Sequence, residues 1–235
     1  MIAVLLQHTD HSANNDPRRT YAVAVFAKAP VLGDCKTRLQ PLLGEAGALA
    51  AHCHLVESTL ERLIERPVAQ RFEPDISLWL SATHTKASQW SEEFGLALAY
   101  QKGRDLGAKM AHALDQLLRR GAAAACVIGT DCPTLDRSYL ERCFALLDDA
   151  DVVLGPAEDG GYGLVGVRGE VPDIFSGIDW GTAVVTQQTL AAAQRLNRKV
   201  ALADTLWDVD WPADWARYQA LLDADRGKSM EPMNQ

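Results

Sequence analysis

The segment Ala122–Leu135, which reads Ala-Ala-Ala-Ala-Cys-Val-Ile-Gly-Thr-Asp-Cys-Pro-Thr-Leu, decides how the rest of the chain is interpreted. Its small and β-branched apolar residues up to Ile128 are typical of a strand that is buried on both faces of a sheet. Gly129 interrupts this run, and Pro133 prevents the strand from continuing. Asp131 is therefore predicted to lie at the carboxyl end of a central strand, where open α/β sheets bind their ligands.

Strand-like and helix-like segments alternate along the chain. The predicted strands are 21–27, 75–82, 96–101, 122–128, 151–155, 162–167 and 199–203, and the predicted helices are 45–66, 84–94, 108–120, 137–147, 182–196 and one that starts at Pro212. This alternation predicts a three-layer α/β/α fold with a mostly parallel sheet. A single domain is expected over residues 21–224, between a flexible extension at 1–20 and a polar tail at 225–235.

The composition excludes several classes of protein. With 235 residues, 48% of them hydrophobic, and a net charge of −8, the chain can form a sizeable core but is not expected to bind nucleic acid. No apolar run approaches the ~18 residues of a membrane span. The cysteines lack any Cys-x-x-Cys pair, which favours reduced thiols in a cytoplasmic protein; they are Cys35, Cys53, Cys126, Cys132 and Cys143.

A cluster of cations follows the first predicted strand. Lys28, Lys36 and Arg38 stand in one connecting segment, with Gly33 among them. Outward-facing backbone amides in a glycine-containing turn, with cations at its end, are suited to binding phosphate oxygens. Because the segment matches neither the P-loop nor the dinucleotide-binding glycine pattern, a solvated basic loop is an equal alternative.

Two acidic turns are the candidate metal ligands. Asp131 follows the central strand, and Asp208 and Asp210 follow the last short strand. We expect both turns at the same edge of the sheet, where two carboxylates and phosphate oxygens make the sparse oxygen shell that Mg²⁺ accepts. The alternative role of Asp131 is to cap the next helix. Asp214 is expected to stay near the start of the last helix.

The segment Glu158–Tyr162 has two interpretations. Its glycines, Gly160 and Gly161, suit the tight turn of a hairpin. Alternatively, they let an acceptor molecule approach the backbone beside Asp159.

Three further features are weaker candidates. Cys35 and Cys132 flank the predicted site, but no histidine stands near them in sequence to activate a thiolate nucleophile. His8 and His11 have a spacing that metal binding can use, although a solvated extension is the simpler interpretation. Trp180 could line a pocket, while packing is the commoner role of tryptophan.

Four motifs occur together in one order and spacing, namely Phe26–Leu39, Ile128–Leu135, Leu154–Tyr162 and Asp208–Asp214. Together they resemble the radical-SAM/selenodomain-associated transferase family, over about residues 21 to 222. That family belongs to the nucleotide-diphospho-sugar transferase (GT-A) superfamily, with phospholactate guanylyltransferases and molybdenum-cofactor nucleotidyltransferases as relatives.

The resemblance implies a role for each basic residue. Lys28, Lys36 and Arg38, with the turn at Gly33, would bind the phosphates of a nucleotide. Lys36 and Arg38 would act in catalysis together with Asp131.

The same resemblance implies a metal site and an acceptor site. Asp131 and Asp210 would bind Mg²⁺ or Mn²⁺, and the loop formed by Asp159, Gly160, Gly161 and Tyr162 would face the acceptor. Trp211 stands where relatives often have threonine, which removes a possible helix cap beside Asp210.

The predicted partners are a nucleotide donor and a small-molecule acceptor. We favour nucleotidyl transfer from an NTP to a small phosphorylated or hydroxyl acceptor, with release of pyrophosphate, because the basic loop suits a triphosphate. Residues 131–133 also lack the Asp-x-Asp pattern that is usual in glycosyltransferases, although Asp208 and Asp210 have it later in the chain. Glycosyl transfer from an NDP-sugar is the alternative, and a non-catalytic nucleotide-binding protein is the competing class.

Overall fold

The chain folds around a seven-stranded sheet. The structure is a computed structural model that describes residues 20–65 and 72–229, with the side chains of 227–229 excluded. The strands are β1 (Tyr21–Ala27), β2 (Asp75–Leu80), β3 (Ala97–Tyr100), β4 (Ala124–Gly129), β5 (Val152–Pro156), β6 (Tyr162–Arg168) and β7 (Val200–Leu202). The helices are α1 (Gln40–Ile64), α2 (Thr85–Phe94), α3 (Leu106–Arg119), α4 (Arg137–Leu146), α5 (Val185–Arg195) and α6 (Pro212–Ser229), and a short 3₁₀ helix, Thr37–Leu39, precedes α1.

The strand order places the loops after the central strands at one edge of the sheet. The order is β3-β2-β1-β4-β6-β5-β7. Of the described strands, only β6 runs antiparallel to its neighbours. Val25 of β1 lies beside Leu78 of β2 and Ile128 of β4, so these three strands end side by side. Their following loops therefore meet at the carboxyl edge, where α/β sheets bind ligands.

Alternate residues of β1 point to opposite faces of the sheet, as strand geometry requires. Val23 and Val25 pack in a cluster with α1, α2 and α4. Ala22 and Ala24 pack in a second cluster with α3 and α5. Helix α6 packs on α1 through a smaller third cluster. The predicted three-layer α/β/α architecture with a mostly parallel sheet is confirmed, and the reversed β6 is its antiparallel element.

The first helix differs from its prediction in start and face. It begins at Gln40 and is interrupted at Gly44, where φ is 70° and ψ is 172°, a conformation that glycine tolerates best. The helical spacing of apolar residues predicts an inner face that includes Leu49 and Cys53, but both residues are only half-buried. The buried positions of α1 are Ala48, Ala51, His52, Leu55, Val56, Thr59, Leu60 and Leu63.

The last two helices also correct the sequence interpretation. The predicted start of this helix at residue 182 is wrong, because α5 begins at Val185 and the Thr182 hydroxyl donates to the carbonyl of Asp179 at 2.7 Å. Helix α6 begins at Pro212 as predicted. It continues to Ser229, beyond residue 225, where the tail was expected to begin.

Some predictions concern the chain ends. Residues 1–19, with His8 and His11, and residues 230–235 lie outside the described residues. Across the part of the chain that the structure describes, no helix has both the length and the apolar character needed to cross a membrane.

Candidate functional site

The loop between β1 and α1 carries its cations along the carboxyl edge of the sheet. Lys36 has a left-handed backbone conformation, with φ 45° and ψ 46°, which costs a non-glycine residue about 1–2 kcal/mol. Gly33 also has a positive φ, of 84°. The Lys36 side chain points inward and is only 5% exposed. Lys28 Nζ donates to the carbonyl of Asp34 at 2.6 Å.

The turn after β4 presents Asp131 at the same edge. Its side chain is 42% exposed. It does not cap α4, because Asp136 holds that position and its Oδ1 accepts the amide of Tyr139 at 2.7 Å. The capping role considered for Asp131 is therefore wrong.

The segment between β7 and α6 presents Asp210. The amide of Val209 donates to the carbonyl of Asp131 at 2.9 Å, which joins the two acidic turns through their backbones. Asp214 Oδ2 accepts the amides of Asp210 at 3.1 Å and Trp211 at 2.7 Å. Asp214 thus remains local, as predicted, and supplies from inside the helix the cap that Trp211 cannot provide.

Lys36 joins the acidic turns through its side chain. Its Nζ lies 2.8 Å from Asp131 Oδ1 and 3.2 Å from Asp210 Oδ1. It also donates to the carbonyl of Val209 at 2.7 Å. Arg38 Nη1 donates to Asp210 Oδ2 at 2.7 Å. The structure therefore brings the cationic loop and both acidic turns together, while the roles of these residues stay predictions.

The Lys36 ammonium remains charged despite its burial. Burial lowers its pKa, but the carboxylates of Asp131 and Asp210 outweigh burial, and the pKa is raised overall. Asp131 Oδ1 is buried and has no aligned hydrogen-bond donor among the described residues. Its 2.8 Å contact with Lys36 is thus an ion pair whose angle departs from that of a hydrogen bond. Two carboxylates share one buried cation.

A cavity of about 340 Å³ opens beside these charges. A volume of this size is in the range of small-molecule binding sites, ~300–1,000 Å³. The three predicted cations and both predicted carboxylates line it, namely Lys28, Lys36, Arg38, Asp131 and Asp210.

His52 is a lining residue that the sequence interpretation missed. It is buried on α1, and its Nε2 donates to the carbonyl of Lys28 at 2.9 Å. Burial lowers the pKa of the imidazole, which favours its neutral form. The signal in the sequence is the position of His52 beside apolar residues that recur at helical spacing on α1. A polar side chain that is buried in such a position requires a partner.

The cysteines do not favour a thiolate nucleophile. All five are free thiols. Cys35 lines the cavity and donates its thiol to the carbonyl of Ala29 at 3.3 Å. Burial raises the pKa of the Cys35 and Cys132 thiols, which disfavours the reactive thiolate form.

Asp208 adds a further carboxylate to this part of the molecule. Burial raises its pKa to about 6, and the charges of Asp159, Asp210 and Asp131 add to the effect. The influence of Asp159 links the β5–β6 connection electrostatically to the Asp210 turn.

The predicted acceptor loop, residues 159–162, forms the turn of the β5–β6 hairpin. At Gly160, φ is 89° and a Cβ would lie 2.2 Å from the carbonyl oxygen of Ala183. The Tyr162 ring packs edge-to-face against Trp180, with centroids 6.2 Å apart. Among the described residues that line the cavity, none belongs to this loop. The hairpin explains the backbone conformation of residues 159–162, and an acceptor-binding role for them stays a prediction.

Asp131 and Asp210 are the residues that could hold a divalent cation. Carboxylate oxygens are suitable ligands for Mg²⁺ or Mn²⁺, and the buried Asp131 Oδ1 has no aligned donor among the described residues. Within residues 20–65 and 72–229, no three His, Cys, Asp or Glu side chains form a metal-binding group. The two carboxylates fit such an ion if phosphates and water complete its shell.

Comparison with solved structures identifies the fold. A protein of Desulfovibrio desulfuricans G20, provisionally named a nucleotide-diphospho-sugar transferase, is 29% identical over 82% of this chain and 83% of that chain, with a TM-score of 0.73. A cytidylyltransferase of Leptospira borgpetersenii is 11% identical over 88% and 87%, with a TM-score of 0.54. CMP:2-keto-3-deoxy-manno-octonic acid synthetase, in complex with CTP, is 12% identical over 88% and 99%, with a TM-score of 0.52. The two distant structures show the fold alone.

Comparison of the sequence identifies a family. Residues 64–182 match the family described as "Uncharacterized protein conserved in bacteria (DUF2064)". No protein of curated function matches the chain. Since the match spans half of the sequence, the chain belongs to the DUF2064 family, and its fold is that of the nucleotide-diphospho-sugar transferases.

Proposed function

We propose that the chain is a nucleotidyltransferase that uses an NTP and a small hydroxyl or phosphorylated acceptor. The observation that carries the proposal is the meeting of a cationic loop and two acidic turns around one cavity of about 340 Å³. Cations suit the phosphates of the donor, and paired carboxylates suit a divalent cation bound to those phosphates.

The reaction is a displacement at the α-phosphorus. An acceptor oxygen forms a bond to this phosphorus, the bond between the α-phosphorus and the bridging oxygen breaks, and pyrophosphate leaves with the bonding electrons. A hydroxyl acceptor also gives up its proton to solvent or to a nearby carboxylate. The negative charge that develops on the leaving group is the main electrostatic demand on the site.

Lys36 and Arg38 meet this demand. Both side chains are bound to Asp210, and Lys36 is also bound to Asp131. A nucleotide would draw these cations to its phosphate oxygens, which are more highly charged than a carboxylate. Lys28 lines the same cavity and would also contact the phosphates.

Asp131 and Asp210 would hold Mg²⁺ or Mn²⁺. When bound, this ion would neutralise charge on the phosphates and orient them. Without it, the carboxylates would repel the same phosphates, so we infer that nucleotide binding depends on the ion.

The solved structures support a nucleotide-using transferase in general terms. One is a cytidylyltransferase by name, and another, a synthetase, is in complex with CTP. The acceptor role of residues 159–162 and the narrower resemblance to radical-SAM/selenodomain-associated transferases are parts of the proposal. The free thiols accord with the proposed cytoplasmic location.

Glycosyl transfer is the second candidate, and one observation favours it. The structure that is 29% identical carries the name of a nucleotide-diphospho-sugar transferase. In that reaction the anomeric carbon is attacked, and a nucleoside diphosphate leaves instead of pyrophosphate.

Thermal unfolding with a panel of NTPs and NDP-sugars, each with and without Mg²⁺, tests the proposal. A ligand that binds the native state raises its apparent stability. We expect an NTP to raise the Tm only when Mg²⁺ is present. That NTP should then release pyrophosphate when mixtures of small hydroxyl and phosphorylated acceptors are added.

Other outcomes would decide against the proposal. Release of a nucleoside diphosphate from an NDP-sugar would identify a glycosyltransferase. Nucleotide binding without turnover across the acceptor panel would favour a non-catalytic binding protein, and no binding of any nucleotide would exclude both transferases.

A further inference from the structure

Helix α1 carries a row of polar side chains on the face that it turns towards the sheet. His52 is 4% exposed and Thr59 is fully buried, and Arg62 follows one turn later, half-buried. Their spacing of seven and three residues places them along one side of a helix. Polar groups in such positions cost free energy unless they bind a partner. Each of the three binds a backbone carbonyl of a loop that forms the candidate site.

His52 binds the cationic loop. Its Nε2 donates to the carbonyl of Lys28 at 2.9 Å, at the point where β1 ends. The loop that carries Lys36 and Arg38 begins there.

Thr59 and Arg62 bind the turn that contains Asp131. The Thr59 hydroxyl donates to the carbonyl of Thr130 at 3.3 Å. Arg62 Nε donates to the carbonyl of Leu135 at 3.3 Å, and its Nη2 donates to Thr59 Oγ1 at 3.1 Å. Both ends of the Asp131 turn are thus attached to the same helix.

We propose that His52, Thr59 and Arg62 are positioning residues. Through them, α1 fixes the distance between the Asp131 carboxylate and the cationic loop that carries Lys36 and Arg38. The expected changes in kcat and KM rest on the proposed nucleotidyl transfer. The attachment of the two loops to α1 does not depend on it. Alignment of reacting groups is sensitive to small shifts, since a displacement of ~1 Å can cost about a hundredfold in rate. Removing a contact at one loop should therefore change the step that this loop serves.

The two attachments have different expected effects. Thr59→Val keeps the shape of the side chain and removes its donor, so it should lower kcat about tenfold. Thr59→Ser restores the hydroxyl and should recover kcat. His52→Leu loosens the phosphate-binding loop and should raise the KM for the NTP about tenfold.

Ser77→Ala is the matched control. The Ser77 hydroxyl is buried and donates to the carbonyl of Val23 at 3.2 Å, inside the sheet and outside the cavity lining. It should lower the Tm as Thr59→Val does, without changing kcat or KM. Equal kinetic losses in Ser77→Ala and Thr59→Val would overturn the proposal, as would an unchanged kcat in Thr59→Val.

Hydrogen exchange of the substrate-free protein separates this inference from the proposed function. We expect the amides of residues 131–135, except Pro133, which has no N–H, to exchange about tenfold faster in Thr59→Val, and to be unchanged in Ser77→Ala. If wild-type protein shows no turnover with any NTP, the proposed function fails, and the hydrogen-exchange comparison alone then tests the positioning role. Unchanged exchange at 131–135 in Thr59→Val would then overturn the positioning role.

Discussion

Lys36 and Asp210 are in contact although 174 residues separate them in the chain. The Lys36 Nζ lies 3.2 Å from Asp210 Oδ1 and 2.8 Å from Asp131 Oδ1. One buried ammonium thus holds two carboxylates that would otherwise repel each other. The charge balance of the candidate site depends on this contact.

Lys36→Met should destabilise the protein at pH 8, because Asp131 and Asp210 lose their shared counter-charge. Breaking a fully buried ion pair costs about 3–5 kcal/mol. Here the carboxylate side chains are 42% and 33% exposed, so we expect a smaller loss, of about 1–2 kcal/mol. Thermal unfolding would measure it, with the exposed Lys199→Met as control. Equal Tm values for the two variants would contradict the prediction.

Asp131→Asn should abolish the Mg²⁺-dependent part of the thermal stabilisation by an NTP. It should also lower pyrophosphate release by about a hundredfold or more, the scale expected when a charge-stabilising group is lost. Asp136→Asn, in the same loop, is the matched control, since asparagine caps a helix as well as aspartate does. Comparable losses in both variants would point to disruption of the loop instead of a role for Asp131.

Asp208→Asn should stabilise the protein at neutral pH when a chelator removes metal ions. The Asp208 pKa is about 6, against an ordinary value of 3.8, so the folded state binds this proton more tightly than the unfolded state. Stability therefore falls as the pH rises from about 4 through about 6. The variant should gain about 1–2 kcal/mol at pH 7.5 and nothing below pH 4. The exposed Asp223→Asn should show no such gain. If the difference in stability between Asp208→Asn and wild type did not change with pH, the raised pKa of Asp208 would be refuted.

Gly160→Ala should be more damaging than Gly181→Ala. Both glycines have a positive φ, of 89° and 80°. Only at Gly160 would the new Cβ collide with a neighbour, the carbonyl oxygen of Ala183, whereas space is open at Gly181. The backbone strain common to both costs about 1–2 kcal/mol, and the collision adds to it at Gly160. Urea unfolding would compare them, and equal losses would mean that the Ala183 contact relaxes freely.

Several parts of the fold followed directly from local patterns. The apolar run up to Ile128 predicted the end of its strand to within one residue, and Pro212 opens the last helix, where its geometry suits the first turn. The reversal of β6 was not predicted, although the Gly160-Gly161 pair had suggested a hairpin. A hairpin makes its two strands antiparallel, so the hairpin interpretation of this glycine pair also accounts for the reversal of β6.

The identity of the candidate site residues could be predicted from the sequence, whereas most of their contacts could not. The types of residue at 28, 36, 38, 131 and 210 predicted phosphate and metal chemistry, with a solvated basic loop and a helix cap as the alternatives. Nothing local indicated that Lys36 would lie between the two carboxylates. The same holds for His52, whose partner, the Lys28 carbonyl, belongs to another element.

By itself, the sequence determined the alternation of strands and helices, and with it a sheet whose loops carry the charged residues. Periodicity, glycine and proline act over a few residues, and a linear pattern records them. Only the tertiary structure decided which charges meet, because strand order and register set the distances between loops that are remote in the chain. The pairing of Lys36 with Asp131 and Asp210 exists because β1 and β4 end side by side and the Val209 amide binds the Asp131 carbonyl.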